Sequence, residues 1–389
     1  MFPQFNQYST PLLILALQGL IFAYLLVLRY RKKHNSSDIF LALILLLTSY
    51  SQVCYTLGFM GWYDTYRNTK INYGLLNIGV ALAPLIYLYV KSITTTSFKF
   101  RLKDLWHFAL FFTFILYRLL IFTYDALQPG FSETQNGVLK ITVDEAFVQP
   151  LIMFLEFPIV LLYLAFTLQL FYNYRKKIIH YFSNTYKLEL NWILSFLVLF
   201  SLLFLYDAAQ TIVGSFITDL NYQQRWWLNF FTAQVTLYVG IKGYFTDTTT
   251  LKKLDFVFSP NKDAIPEPSG GKEHKQIETS KVNKIVELMQ SDKVYLDPDL
   301  NLSDMAEKAE MSRAEVSEII NSEFNQNFNE FVNGYRVKEF QQMLKEGRHE
   351  KLSFIGVAYE CGFNSKATFN RVFKKVTNLS PTQYLNSQG

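Results

Sequence analysis

Apolar residues in this chain come in blocks, and the blocks stop near residue 245. A helix crosses a hydrocarbon core with roughly 18 or more apolar residues in a row. Seven runs reach that length: 11–29, 39–60, 71–90, 105–123, 146–173, 189–213 and 226–245. The linkers between them are short and polar. One run alone could be a buried core helix, but seven in series predict a bundle in lipid, where each helix satisfies its own backbone groups. Residues 246–276 then lose all sustained periodicity and carry three prolines and a Gly-Gly pair, the composition of a flexible linker.

From residue 277 onward the pattern is helical with polar faces. Ser312 opens "SRAE", a capping box closed by Glu315, and Asn327 with Glu330 gives a similar start to a long helix. That helix runs to about Leu344, with Phe328, Phe331, Tyr335, Val337, Phe340 and Leu344 near helical spacing. A short helix follows over 354–360. Gly362 suits a turn that needs positive φ. Ser365 caps a last main helix in which Phe369, Val372, Phe373 and Val376 face inward. The expected fold class is all-α: a seven-helix transmembrane bundle over 1–245, a cytoplasmic linker over 246–276, and a soluble domain over 277–389 with two helix-turn-helix units, about 302–323 and 353–377, on one connecting helix.

Charge orients the apolar half. Loops 29–38, 91–104 and 174–188 hold four Lys or Arg each, whereas 1–10, 61–70, 124–145 and 214–225 hold none, two, one and one. By the positive-inside rule the N-terminus is outside and everything after Tyr244 is cytoplasmic. All five tryptophans (Trp62, Trp106, Trp192, Trp226, Trp227) fall at ends of apolar runs, as interfacial belts do. The basic cluster after the first run reads as a signal-anchor and not as a cleavable leader. The two cysteines, Cys54 and Cys361, lie in different halves, which argues against a stapled secreted fold.

Charged side chains inside spans are costly and usually functional. Arg118, Glu156 and Asp207 fall in the fourth, fifth and sixth runs, at or outside the middle of the bilayer, with Gln52, Asn77, Gln210, Asn229 and Gln234 at similar depth. This polar layer reads either as a ligand cavity open to the outside or as an Arg118–carboxylate pair and interhelical hydrogen bonds that hold the bundle. Pro158 sits beside Glu156 and is expected to kink the fifth span.

The segment 295–386 resembles the DNA-binding domain of AraC/XylS-type transcription regulators. "NLSDMAEKAEMSRAEVSEII" resembles that family's first helix-turn-helix and "FNEFVNGYRVKEFQQML" its connecting helix. "VAYECGFNSKATFNRVFKKVTNLSPTQY" resembles its signature region, with Val357-Ala358, Gly362-Phe363, Phe369, Phe373-Lys374 and Pro381 to Tyr384 in place. The match covers about a quarter of the chain. Some bacterial members are fused to multi-span segments, which is the only likeness of the apolar half.

Residues 278–361 hold ten basic and sixteen acidic side chains, whereas 362–389 hold Lys366, Arg371, Lys374 and Lys375 and no acid. Attraction to phosphates is therefore concentrated in the second unit. Its last helix offers Lys366, Ala367, Asn370 and Arg371 to a major groove, Arg and Lys suiting guanine and Asn adenine. Lys374, Lys375 and Thr368 are placed nearer phosphates. The first unit presents Arg313, Ala314, Ser317 and Glu318. Glu318 repels phosphate, and Glu310 and Asn378 stand where the family commonly has glycine. The implied function is a one-component regulator in a bacterial cytoplasmic membrane, binding double-stranded DNA under control of an unidentified signal ligand. The lipid bilayer is its other partner, and a homodimer is open to it. The rival reading is a seven-span receptor or transporter whose C-terminal domain binds protein. No nucleophile–base pair, metal-ligand spacing or phosphate loop suggests an enzyme, a metal or a cofactor.

Overall fold

The computed structural model describes residues 2–65, 79–95, 98–128, 137–186, 188–246 and 278–387. The proposed linker, apart from Thr246, and the first part of the third apolar run lie outside the described residues. Among the described residues the architecture is all-α, with one isolated bridge between Phe182 and Asn301 in place of any strand. The chain divides into two compact units: Met1–Phe171 with Asn191–Pro260, and Tyr172–Leu190 with Asn261–Gly389.

The first unit contains α1 (Ser9–Lys33), α2 (Ser36–Phe59), α3 (Leu82–Thr94), α4 (Ala109–Leu127), most of α5 (Gln149–Tyr181), α6 (Asn191–Phe216) and α7 (Trp226–Phe245). Among the described residues, five helical stretches are long and apolar enough to cross a membrane: Ser9–Lys33, Ser36–Phe59, Leu102–Leu127, Lys140–Tyr181 and Asn191–Phe216. Gly79–Thr94 is a shorter apolar helix. Helix α1 packs on α2 and α7, α2 on α3 and α7, and α6 on α7. Small residues permit the close approach, as they do in lipid-embedded bundles. A Cβ on Gly19 would stand 2.1 Å from Ser49 Oγ, and one on Gly243 would stand 2.2 Å from Leu41 Cδ2. At one end of α1, Arg29 bonds Asp38 at 2.7 Å and donates to the carbonyls of Gly243 and Tyr244, closing the last turn of α7. The outward faces carry exposed Leu and Phe, among them Leu116, Leu120, Phe154 and Leu202. Pro84 falls in the first turn of α3, where no intrahelical N–H is missed. Helix α5 continues through Pro158.

The second unit is built on α8 (Thr279–Gln290), α9 (Leu302–Ala309), α10 (Arg313–Phe324), α11 (Phe328–Lys345), α12 (Phe354–Glu360), α13 (Lys366–Thr377) and α14 (Pro381–Asn386). The expected caps are all present. Ser312 Oγ accepts from Glu315 N, Asn327 Oδ1 from Glu330 N, and Ser365 Oγ from Thr368 N. Two apolar cores share α11. Its first half closes one core with Ile285, Met305, Val316, Ile320 and Phe331, and its second half closes the other with Val357, Phe363, Phe369 and Phe373. Val376, expected to face inward, is half exposed. The second core ends one turn earlier, where Tyr384 stands edge-on to Phe373 at 5.4 Å.

Gly362 lies between the cores with φ +91°. A Cβ there would meet the Tyr295 carbonyl oxygen at 2.4 Å and Arg336 Nε at 2.9 Å. Glu310 and Asn378 also adopt left-handed backbone, at φ 55° and 59°. Asn tolerates this region, whereas Glu pays about 1 kcal/mol for it. Gly362→Ala is expected to destabilise the second unit by about 2–4 kcal/mol, from strain and overpacking together. Glu310→Gly is expected to stabilise it by up to about 1 kcal/mol. Hydrogen-exchange protection of the α11 and α13 amides reads both, and a neutral Gly362→Ala would contradict the packing described.

Candidate nucleic-acid interface

Helix α13 is positioned by its buried stripe, Phe369, Val372 and Phe373, which seats it against Phe340 of α11 at ring separations of 4.7 and 5.4 Å. The same register turns Lys366, Ala367, Asn370, Arg371, Lys374 and Lys375 outward, and all six are exposed. Thr368, assigned from sequence to the neighbourhood of phosphates, is buried, and its Oγ1 has no hydrogen-bond partner among the described residues. It stands one turn before Val372, on the flank of the buried stripe.

Two of the outward cations are held by carboxylates of the same unit. Arg371 bonds Glu189 at 2.9 Å, and Lys375 bonds Glu330 at 2.5 Å. Lys366 and Lys374 carry no ion pair among the described residues. Burial raises the Glu330 carboxyl, but the bonds from Lys375 and the Asn327 backbone outweigh it and hold the group below its ordinary range.

In the first helix-turn-helix, α10 exposes Arg313, Ala314 and Glu318 and half-buries Ser317, whose Oγ accepts from Asn321. Glu315, one residue from Ala314, is fixed by Lys281 at 2.9 Å and by Ser312. The hydrogen bond from Lys281 is the largest cause, with Ser312 next, of a Glu315 carboxyl pulled down to about 2.

The connecting helix α11 carries polar groups that sequence reading passed over. Asn329, Asn333 and Arg336 recur at i, i+4 and i+7 beside the apolar face, and Asn333 and Arg336 are each 1% exposed. Arg336 Nε donates to the Tyr295 carbonyl at 2.7 Å, and its terminal nitrogens reach the Asp297 carbonyl at 2.6 Å and Ser183 Oγ at 3.1 Å. Asn329 donates to the carbonyls of Phe182 and Ser183, and Asn333 to that of Ser183. The available signal was the i, i+4, i+7 spacing of these polar side chains within a helix otherwise rich in Phe, Val and Tyr.

In the first unit, Arg118 bonds Asp144 at 2.6 Å. Asp144 lies on a π-helical turn, Lys140–Val148, and also accepts from Lys140 and Gln149. Asp125 accepts the backbone N–H groups of Leu139 and Lys140. Both carboxylates lie in the stretch 124–145 that the hydropathy pattern assigns to a loop. A depression of about 520 Å³ opens elsewhere in this unit, lined by Gln4, Asn6, Gln7, Tyr8, Gly58, Phe59, Gly61 and Gln223. Arg118, Glu156 and Asp207 do not line it.

Residues 305–387 match the model of a helix-turn-helix domain. An 89-residue stretch is 33% identical to an uncharacterized HTH-type transcriptional regulator of Haemophilus influenzae, covering 23% of this chain and 29% of that protein. The chain thus spans less than a third of the length of this curated relative. No solved structure matches the chain. The C-terminal segment is an AraC-type helix-turn-helix domain.

The Glu315 carboxyl sets a pH expectation. Its folded value lies below the ordinary 4.5, so its contribution to stability is fully present above about pH 4.5 and is lost as pH falls through about 2. The thermal stability of the second unit should therefore fall as pH is lowered across this window. Glu315→Gln should flatten that part of the profile, and an unchanged slope would show that the Lys281–Ser312 arrangement does not operate in solution.

Proposed function

We propose that this protein is a membrane-tethered, sequence-specific DNA-binding regulator of transcription, with α13 as its principal reading element. The observation that carries the reading is the presence on one chain of an AraC-type helix-turn-helix domain and of helices long and apolar enough for a membrane. The exposed Leu and Phe of α4, α5 and α6 have a solvent in lipid and none in water. The loop charge bias orients the N-terminus outward and keeps the DNA-reading unit in the cytoplasm. Arg118 with Asp144 fixes the π-helical turn beside α4, so we assign that pair to packing.

On α13, Asn370 and Arg371 are the base-reading candidates, and Lys374 is the phosphate contact. Glu318 gives α10 the weaker part, because its charge repels the backbone.

The test uses full-length protein in lipid nanodiscs to select duplexes from a random library. Arg371→Ala should cost about 1–3 kcal/mol on the selected duplex and relax preference at one base pair. Lys374→Ala should weaken all duplexes alike and lower the salt slope by about one. Failure to enrich any sequence would overturn the reading. Indifference to both substitutions would remove α13 as the reader.

Topology has its own test. Reporter fusions after Thr69 and after Ser259 should report opposite sides of the membrane. The same side for both would contradict an odd number of spans between them.

A further inference from the structure

The second unit is not made of C-terminal residues alone. The stretch Tyr172–Leu190, which comprises the end of α5 and the segment leading to α6, belongs to it. Two sets of bonds hold this stretch. The first set is largely buried, and its acceptors are neutral. Ser183 Oγ donates to the Leu300 carbonyl at 2.6 Å and accepts from Arg336, while the carbonyls of Phe182 and Ser183 accept from Asn329 and Asn333. The second set is ionic. Glu189, only 6% exposed, takes Arg371 at 2.9 Å, Thr185 Oγ1 at 2.7 Å and Arg175 at 3.7 Å. Leu188 and Leu190 on either side of Glu189 are also buried.

Arg371 is the guanidinium best placed on α13 to read a base, and reading guanine takes two of its donors at once. A carboxylate bonded to that guanidinium competes for the same donors. It also brings a negative charge to the face that would meet phosphates. From these contacts we infer that residues 182–186 and 188–190 form a strap whose docking on α11 and whose Glu189 on Arg371 exclude duplex DNA from α13. The strap and DNA bind one surface in turn. Binding DNA requires the strap to leave Arg371, and anything that moves the ends of α5 or α6, between which the strap runs, shifts the balance. This inference rests on α13 being the DNA-reading helix.

The partition between strap and DNA follows from the chemistry. Glu189 is replaceable by any anion that satisfies a guanidinium, and a nucleic acid supplies both phosphate oxygens and guanine acceptors. The Asn329, Asn333 and Arg336 anchor has no such competitor, because its acceptors are backbone carbonyls and a serine hydroxyl. Weakening either set should release α13, by separate routes.

The experiment compares full-length protein in nanodiscs with two variants, using the duplex selected by the wild-type protein. Glu189→Gln removes the charge and keeps the shape. The double variant Asn329→Ala with Asn333→Ala undoes the anchor without changing charge. Each should bind the duplex about three- to five-fold more tightly, the scale of one ion pair. Hydrogen exchange should show the amides of 182–190 less protected when duplex is added to the wild type. Tighter binding by Glu189→Gln alone, with protection unchanged by DNA, would reduce the effect to long-range charge and overturn the strap. Unchanged affinity in both variants, with Arg371→Ala still crippling, would overturn the strap and leave the DNA-reading assignment standing. No binding by any form would overturn both.

Discussion

A guanidinium buried where two apolar cores meet governs the second unit. Arg336 is 1% exposed, and stripping water from such a charge costs several kcal/mol unless nearly every donor is bonded. Burial pushes it down to about 10, which still leaves it charged at neutral pH. Its donors are met by the carbonyls of Tyr295 and Asp297, by Asn333 Oδ1 and by Ser183 Oγ. These acceptors come from segments far apart in the chain, so the turn after α8, the middle of α11 and the stretch before α6 must converge on one side chain. Gly362 is confined by the same knot, since its missing Cβ leaves room for Tyr295 and for Arg336 itself. Removing the guanidinium would take a donor at once from the Tyr295 and Asp297 carbonyls, Asn333 Oδ1 and Ser183 Oγ, and for that reason its role exceeds that of any single contact.

Charge is arranged around that knot in a way that net values hide. The acidic first helix-turn-helix and the basic second one look like a strong and a weak half of a DNA reader. The structure adds that part of the acid is spent internally. Glu330 is bonded to Lys375 and Glu339 to Lys293 and Tyr295, while Glu315 is bonded to Lys281 and Ser312. Such carboxylates project less field toward a phosphate backbone than free ones would. Glu318, on the exposed face of α10, has no ion-pair partner among the described residues and keeps its repulsion.

Much of this was legible in the sequence, and the reasons differ by element. Periodicity and capping chemistry are local, so the boxes at Ser312 and Asn327, the cap at Ser365 and the left-handed turn at Gly362 are legible in the residues themselves. The exposed residues of α13 followed from its apolar stripe. Thr368 and Val376 did not, because whether the flank or last turn of a helix is covered depends on neighbours that a helical period cannot name. Asp144 and Asp125 were hidden for a related reason: they sit where hydropathy drops, and a polar stretch reads as a loop even when its carboxylates are buried. The contact of residues 172–190 with α11 lay furthest out of reach. It joins positions about 150 residues apart, and only the spacing of Asn329, Asn333 and Arg336 hinted that α11 expected a polar guest.

That guest is held by hydrogen bonds and one ion pair beside two buried leucines, Leu188 and Leu190, and this bears on whether it can leave. A buried hydrogen bond contributes only about 1 kcal/mol net, since its groups are solvated when apart. A strap fixed by a few such bonds and one ion pair is firm against thermal fraying, yet stays within reach of a shift of a few kcal/mol, the range in which a ligand or a second binding partner redistributes two states. An apolar strap burying several large side chains would be close to permanent, and a fully exposed ion pair would be too weak to exclude anything. Ser183 and Glu189 fall between these limits, as a contact must if the surface beneath it is to be used by something else.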